Sequence, residues 1–567
     1  MLSRFFRLSA LAFALFVPAT WADEQKKSDA PSKKDAPAAK ASGPAVLIRV
    51  QSINDLLKTA DYLRTLAPEE AGEQIKQGID AIKAFIDDKK GLEGIDVTKP
   101  IGAYITFKED FGETPPVVIL IPVADKDTVM NALEERLGLK VEKEKDGVFK
   151  TQAEQVPFPI YFRFTNDYAY VTINDSANID AKSLPKPADI LVGKPEHAIS
   201  ASVRIDRLPD ALKKMALAAI ENQLATAKEQ PIPNAPKSVV EFKDKAIDEL
   251  VVNLKNILEG GEEASLRLNV DPKKEEVAIE IEMKGTKSSE LAKDIKSIQE
   301  HKSVVGGALA FPDTALSLNV SMTIAKSLKT MLPKVVDDAL EEVKKQGVVP
   351  GDILNKAEPL IKALLPTVKA GELDLGIAMI GPDKSDKFTL LGGVKVVEGK
   401  KIEDAIKETV KKELPREISA MFTLDAEKLS NGSMMHTVKL SDFIDEKTEK
   451  IIGKNDLHFV FRDDLMLVAI GPSAKEVLTK AVTSKPADVG VLQLKVSLAR
   501  IVPIMGDNAA ELSNAKKVAE KVFGKGGSKA DEIRFSVEGG DSLKIKLMAK
   551  GKAIRFLAEL GTANKDQ

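Results

Sequence analysis

Two hydrophobic patterns alternate along the chain, and together they predict strands and helices. Short runs rich in apolar and β-branched residues occupy 45–50, 101–107 and 117–123, which predicts strands. Apolar residues recur every three to four positions over 53–89 and 126–137, which predicts amphipathic helices. The chain is therefore expected to mix the two kinds of element.

The same alternation continues towards the middle of the chain. It predicts a hairpin (159–173), a strand (198–205), two helices (207–228 and 241–258), a second hairpin (264–284) and a helix (287–299). Short hairpins imply antiparallel pairing. A Pro-rich stretch at 222–237 predicts an exposed break between the two helices.

An internal repeat relates the two halves of the sequence. Five pairs of segments match in the same order: 45–50 with 315–320, 119–133 with 392–406, 161–175 with 458–472, 199–207 with 492–500, and 265–270 with 532–537. Such collinear matches predict a tandem duplication about residues 300–305. The second half is expected to differ by an added segment near 413–457 and a shorter helical region after Arg500.

The predicted fold class is α+β. Each half is expected to contain two βαββα units around a central hairpin, with mostly antiparallel sheets and helices packed on one face. The predicted domains are a first repeat domain at 44–303, a second at 304–562 and a tail at 563–567. A chain of 567 residues also exceeds what one core normally supports, so at least two domains are expected.

The first 22 residues have the features of a secretory signal peptide. Arg4 and Arg7 precede a short apolar run, and small residues surround Trp21 before Asp23. Retention as an uncleaved anchor is the alternative, although the run is shorter than a span of about 20 residues. Residues 23–43 contain no bulky apolar side chain and are expected to form a disordered spacer. Export to the periplasm or cell envelope follows, with no transmembrane segment after cleavage.

The amino-acid composition excludes several classes of function. The chain has 83 basic and 86 acidic residues, a net charge of -3, so no basic footprint for nucleic acid is present. It has no cysteine, which excludes disulfides, thiolate metal sites and a lipid-modified cysteine.

Two Asn-Asp pairs in the aromatic-rich stretch 161–175 invite a metal or catalytic interpretation. The first pair, Asn166 and Asp167, separates two strand patterns, and both residue types tolerate the positive φ of tight hairpins. The repeat places Asp463 and Asp464 there. A hard metal ion needs more converging oxygen ligands than one exposed pair offers. We therefore interpret these pairs as turns.

No catalytic, cofactor-binding or metal-binding residue is predicted. The four histidines, His197, His301, His436 and His458, do not have metal-ligand spacing. The glycine-rich stretch 523–531 fails the spacing of a phosphate-binding loop, and G-G-E-E at 260–263 is interpreted as the matching loop in the first half. The many carboxylates fall on polar helix faces.

Two hydrophobic stripes, at 327–340 and 353–368, are interrupted by Pro333, Pro359 and Pro366. Broken amphipathic helices of this kind line a groove for a lipid tail or a partner helix, or simply cover a sheet. The sequence leaves these alternatives open.

Leader, spacer and repeated strand-helix-hairpin pattern together resemble the large, uncharacterised exported proteins of some bacteria. The resemblance covers the whole chain but includes no specific motif, so it implies no functional residue. We expect an exported, soluble, non-enzymatic protein without cofactor, binding or scaffolding an unknown protein partner of the cell envelope. A carrier of a lipid or other apolar ligand in a helix-sheet groove is the first alternative. An unrecognised hydrolase with a carboxylate-only site is the second.

Overall fold

The computed structural model describes residues 43–87, 92–107, 116–136, 138–152, 158–194, 196–232, 235–300, 302–346, 358–506, 508–524 and 530–563. The expected leader (1–22), nearly all of the spacer, His301 and most of the tail lie outside these ranges. Within them, the chain forms a mixed α+β structure with one antiparallel sheet of 20 strands.

Ten strands belong to the first half and ten to the second. The first ten are β1 (Val46–Val50), β2 (Ile101–Ile105), β3 (Val117–Pro122), β4 (Val141–Lys143), β5 (Val148–Thr151), β6 (Ile160–Thr165), β7 (Tyr168–Ile173), β8 (His197–Arg204), β9 (Gly261–Asp271) and β10 (Glu276–Gly285). The others are β11 (Thr314–Thr323), β12 (Glu372–Ile380), β13 (Thr389–Lys395), β14 (Phe422–Lys428), β15 (Met434–Val438), β16 (Leu457–Arg462), β17 (Leu465–Ile470), β18 (Leu492–Ser497), β19 (Glu532–Glu538) and β20 (Leu543–Lys550).

The helices lie between these strands. In the first half they are α1 (Ile53–Leu66), α2 (Glu69–Asp87), α3 (Lys126–Asn131, continued by a π-helical turn, Ala132–Arg136), α4 (Pro187–Ile190), α5 (Asp210–Glu229), α6 (Lys237–Gly260) and α7 (Glu290–Glu300). In the second half they are α8 (Val304–Ala308), α9 (Lys326–Lys329), α10 (Leu332–Gln346), α11 (Glu358–Ala370), α12 (Gly399–Lys412), α13 (Arg416–Ser419), α14 (Glu446–Ile452), α15 (Ala474–Ala481), α16 (Leu498–Ile501), α17 (Ala509–Phe523) and α18 (Gly551–Ala563). Single 3-10 turns complete the connections.

Strand order is the same in the two halves. The first half pairs in the order β4-β5-β6-β7-β3-β2-β1-β8-β9-β10. The second pairs in the order β14-β15-β16-β17-β13-β12-β11-β18-β19-β20, the same order with ten added to each strand number. All of these pairings are antiparallel, as the hairpin signals predicted.

The two halves join edge to edge through their last strands. Residues Glu276–Met283 of β10 pair with Leu543–Lys550 of β20 in an unbroken antiparallel ladder, which we call the junction. Side chains reinforce it, because Ser542 donates a hydrogen bond to Glu282 at 2.6 Å and Lys546 and Lys550 both contact Glu276. One continuous sheet therefore passes through both predicted domains.

Helices pack on both faces of this sheet, so the expectation of a single covered face is wrong. In the second half, α8 and α15 pack against Leu391 and Leu467. Helix α12 packs on the other side of the same strands, where Ile402 contacts a cluster that includes Phe459 and Val468. Neighbouring residues in a strand point to opposite faces. Period-2 alternation is weak in these strands because both of their faces are buried.

Two local expectations are also corrected. Gly260 and Gly261 do not form a loop, because α6 runs directly into β9. The segment near 413–457 is not purely an addition, because its hairpin β14–β15 takes the same place in the sheet as β4–β5. The hairpin β4–β5 was not predicted from the sequence, because β4 (Val141–Lys143) is only three residues long. A break between the two helices is confirmed, but it is shorter than the predicted stretch 222–237, because α5 continues to Glu229. The shorter helix after Arg500 is confirmed.

Candidate functional site

One face of the central strands is built entirely of uncharged, apolar positions. The register aligns Ile119, Ala103, Ile48, Ala201, Leu266, Ile281, Ile545, Val537, Leu492, Val320 and Leu375 in one row from β3 to β12. A second row contains Ile199, Leu268, Ile279, Leu547, Phe535, Leu494, Leu318 and Ile377. We call this surface the apolar face.

Much of the apolar face is open to solvent. Nine large hydrophobic side chains of the strands are exposed, and the register places all nine on this face: Ile48, Ile119, Ile173, Ile199, Leu266, Ile279, Ile281, Ile377 and Leu547. Their exposed fractions range from 38% at Leu547 to 51% at Leu266. Single exposed hydrophobics are ordinary, but a contiguous set on one face indicates a binding surface.

Around the junction, the opposite face is charged and paired. Arg267 contacts Glu280 at 3.0 Å and Glu282 at 2.5 Å, and Glu276 contacts Lys546 at 3.1 Å. These ion pairs link β9, β10 and β20 across the sheet. The sheet is therefore amphipathic where the halves meet. Ion-paired side chains lie on one side, and the apolar face is the other side.

Helices flank the apolar face at both ends of the strands. Helix α7 packs on Leu543, Val537 and Leu492 at one end, and Ile545 and Phe535 are packed against the same cluster. Helices α17 and α18 pack on Ile533 and Val496 at the other end. Between these helices Leu547 stays exposed and Phe535 and Leu494 stay half-buried. The uncovered strip therefore forms the floor of a groove that crosses the strands.

The proline-containing helices predicted to line a groove are only partly broken. Pro333 and Pro359 each occupy the second position of a helix, α10 and α11, where the missing N–H costs no intrahelical bond. Pro366 alone interrupts a helix. Residues 353–357 lie outside the described ranges. Helix α11 contributes Leu360 and Ala363 to the cluster under α12, so this part of it covers the sheet.

A polar cluster joins α12 to the hairpin β14–β15, and we call its members Glu403, Lys407, Asp425 and His436 the His436 cluster. Asp425 is 40% exposed, whereas Glu403 and His436 are buried. His436 is fully buried and stacks on Phe459 with ring centroids 4.8 Å apart. Its Nδ1 accepts a hydrogen bond from the backbone N–H of Asp425 at 3.0 Å. Its Nε2 lies 3.3 Å from Oε1 of Glu403.

Possible ligand atoms of Glu403, Asp425 and His436 lie within 4.8 Å of one another, which is close enough for a metal site. Two features argue against one. The Nζ of Lys407 already lies 2.6 Å from Glu403 and 2.5 Å from Asp425, where a cation would bind. Since Nδ1 of His436 accepts an N–H, a neutral ring carries its proton on Nε2 and offers no lone pair there. The cluster is an internal ion-pair network.

Burial and charge act together on the pKa values in this cluster. Burial lowers the pKa of His436, and Glu403 opposes that effect only in part. Burial would raise the pKa of Glu403, but hydrogen bonds from Lys407 and Lys400 lower it overall. At neutral pH the network thus holds a neutral imidazole beside an ionised carboxylate and an ammonium group.

The two Asn-Asp pairs are turns. Asn166 and Asp167 have φ values of 53° and 58° and close the two-residue hairpin between β6 and β7. Asp175 accepts a hydrogen bond from the N–H of Ala177 and caps a short 3-10 turn. In the second half, Arg462 forms two hydrogen bonds with Asp464 at the matching hairpin.

The remaining candidates form no convergent site among the described residues. His197 and His458 are both strand residues whose pKa burial lowers, and Nδ1 of His458 bonds to the hydroxyl of Thr437 at 2.9 Å. A cleft of about 990 Å³ beside β4 and β5 is lined by side chains of both charges, among them Lys143, Asp146 and Arg163. It offers no apolar cavity for a hydrophobic ligand.

Sequence reasoning named neither the apolar face nor the His436 cluster. Glu403, Asp425 and His436 are far apart in the chain, and two of them lie in or beside the hairpin β14–β15, which was interpreted as part of an added segment. The apolar face did leave a signal, because apolar and charged residues alternate strictly over 279–284 and 543–546. Alternation alone could not show that the face stays uncovered.

Comparisons with family models, with curated proteins and with solved structures found no match for this chain. Among the described residues, no helix combines the length and the apolarity that crossing a membrane requires.

Proposed function

We propose that the protein binds a lipid or similarly apolar molecule on the apolar face and carries it without catalysing a reaction. The nine exposed hydrophobic strand residues that share this face carry the proposal. Burial of apolar surface yields roughly 25 cal/mol for each Å² removed from water, so covering the face with an apolar ligand would be favourable without any polar contact.

Carrier function agrees better with this geometry than scaffolding does. Protein-protein interfaces have a polar rim and about one hydrogen bond per 100–200 Å². Strand positions on the apolar face from β3 to β12 carry no charged side chain within the rows defined above. A partner protein bound there would find few hydrogen-bonding groups.

We further propose that the chain arose by tandem duplication and that it is exported. Duplication is supported by the matching strand order of the two halves, with pairs such as β1 and β11 or β6 and β16 in equivalent places. It is also supported by the five collinear sequence matches. Export to the periplasm or cell envelope rests on the leader features of residues 1–22.

Lipid retention by defined variants tests the carrier proposal. The full-length chain is purified natively, and bound lipid is extracted and quantified by mass spectrometry. Ile279→Lys places a charge on the open floor and should lower the retained lipid at least tenfold. Val192→Lys is the matched control, because Val192 is 74% exposed in the segment that covers the opposite face. It should retain lipid normally.

Two outcomes would contradict the proposal. If the chain as purified holds no lipid and takes up none from vesicles of phosphatidylcholine and phosphatidylglycerol, the carrier function is wrong. If a stoichiometric protein copurifies instead and Ile279→Lys releases it, the apolar face serves as a scaffold. Circular dichroism must show that both variants keep the fold.

A further inference from the structure

Four of the nine exposed residues on the apolar face lie together where the two halves join. Leu266, Ile279, Ile281 and Leu547 on β9, β10 and β20 are 51%, 46%, 40% and 38% exposed. Leu266 lies opposite Ile281, and Ile279 lies opposite Leu547, so the four side chains are contiguous across the junction. This part of the groove thus belongs to neither half alone.

The exposed row continues from the junction into the first half, whereas in the second half three strands separate Leu547 from the next exposed residue, Ile377. Ile199 and Ile48 follow on β8 and β1, and Ile377 is exposed on β12 in the second half. From β1 to β20 the sheet order contains four strand spacings, which at about 4.8 Å each gives a floor about 19 Å long. An elongated ligand fits this shape.

The side chains and backbone of the groove floor favour a hydrocarbon ligand over a charged molecule or a peptide. The floor has no charged side chain to complement a charged ligand, and the backbone groups of β9, β10 and β20 are already used in the ladders on either side. An extended peptide lying there would leave its own N–H and C=O groups without partners, at a cost of several kcal/mol for each. A hydrocarbon chain has no such groups.

The flanking helices argue against a second copy of the sheet. Two sheets packed face to face approach to about 10 Å. Helices, about 10 Å thick, already occupy this layer at both ends of the strands, through α7 on one side and α17 and α18 on the other. A flexible chain can enter the strip between them, whereas another sheet cannot.

We propose that the ligand is a lipid whose hydrocarbon chains lie across the junction, so that one bound molecule contacts β9, β10 and β20 together. This rests on the proposed carrier function and adds the chemical class and the position of the ligand. The two halves would then form a single site, rather than one site each.

Single-tryptophan reporters test the position. The chain has one tryptophan, Trp21, in the expected leader. In a full-length Trp21→Phe background, one of four floor residues is changed: Leu266→Trp or Leu547→Trp at the junction, and Ile119→Trp or Ile377→Trp away from it. Val192→Trp is the control on the opposite side. Each variant is loaded from vesicles of phosphatidylcholine with brominated acyl chains, which quench nearby tryptophan, and is then separated from the vesicles.

If the proposal is correct, binding saturates at one lipid per chain. Leu266→Trp and Leu547→Trp should each lose at least half of their fluorescence, while the fluorescence of Val192→Trp should not change. Saturation at two lipids per chain, with quenching at Ile119→Trp and Ile377→Trp but not at the junction, would overturn it and leave the carrier function standing. Retention of no lipid by any variant, although circular dichroism shows them folded, would overturn both. The unbrominated lipid controls for fluorescence changes unrelated to quenching.

Discussion

Lys407 is the residue on which the His436 cluster depends. It is 15% exposed and contacts both Glu403, which is 4% exposed, and Asp425. Burial would lower the pKa of Lys407, but the contacts with Asp425 and Glu403 outweigh it and raise that pKa. The ammonium group therefore stays charged between two carboxylates, and its removal would leave Glu403 buried without its nearest cation.

Lys407→Met should accordingly lower the free energy of unfolding by about 2 kcal/mol, because the buried Glu403 would keep only the exposed Lys400 as a cationic partner. Urea denaturation followed by circular dichroism measures this. The matched variant is Lys401→Met on the same helix, whose partner Glu398 and own side chain are both largely in solvent. It should change stability by no more than about 0.5 kcal/mol. Equal effects in the two variants would contradict the account.

A second residue gives a pH-dependent prediction. Burial raises the pKa of Asp294 on α7 to about 6, with a smaller contribution from Glu290. Since this folded-state pKa exceeds the ordinary value near 3.9, the folded chain holds the proton more tightly than the unfolded chain. The contribution of Asp294 to stability is complete below about pH 4 and is lost as the pH rises through 6.

Asp294→Asn should therefore stabilise the protein at pH 8, by about 1 kcal/mol after allowance for solvent screening, and should give no gain at pH 4. Urea titrations at the two pH values measure the difference. Glu290→Gln, at a position that is 58% exposed, is the control and should change little. A gain for Asp294→Asn that is the same at both pH values would show that charge burial is not its cause.

At the scale of elements, the hairpin β6–β7 illustrates what the sequence could predict. Strand patterns and the Asn-Asp pair located the turn, and the positive φ of Asn166 confirms its chemistry. Asn166→Val should cost about 1–2 kcal/mol, because a β-branched residue is forced into the left-handed region. Asn166→Gly should be close to neutral. Thermal unfolding of both variants measures this, and equal melting temperatures would disprove the explanation.

Other elements could not be predicted because non-local contacts decide them. Strand β4 is three residues long, with two of them exposed, and it exists by pairing with β5. Helix α6 passes into β9 without a loop because Gly261 lets the chain turn closely against Ile257 and Ile205. The apolar face follows from alternation in β10 and β20, but its exposure depends on where α7 and α17 end, which no local pattern records.

At the scale of the whole molecule, the junction joins the two halves into one continuous sheet. Eight residues of β10 pair with eight of β20, from Glu276 to Met283 and from Leu543 to Lys550. A hydrophobic cluster also crosses the boundary, because Leu291, Ile295 and Ile298 of α7 pack with residues of the second half. An edge strand left without its partner would promote association.

The covalent link between the halves should consequently be dispensable for their association. A protease site inserted between α7 and α8, near residue 302, allows the folded full-length chain to be cut there. The two fragments should elute together as a 1:1 complex on gel filtration at micromolar concentration. Ile545→Pro removes a donor from the centre of β20 and should let the cut halves separate or aggregate. If the two fragments of the otherwise unaltered chain separate after cleavage, the halves are independent domains. A lipid site shared across the junction would then require the intact chain.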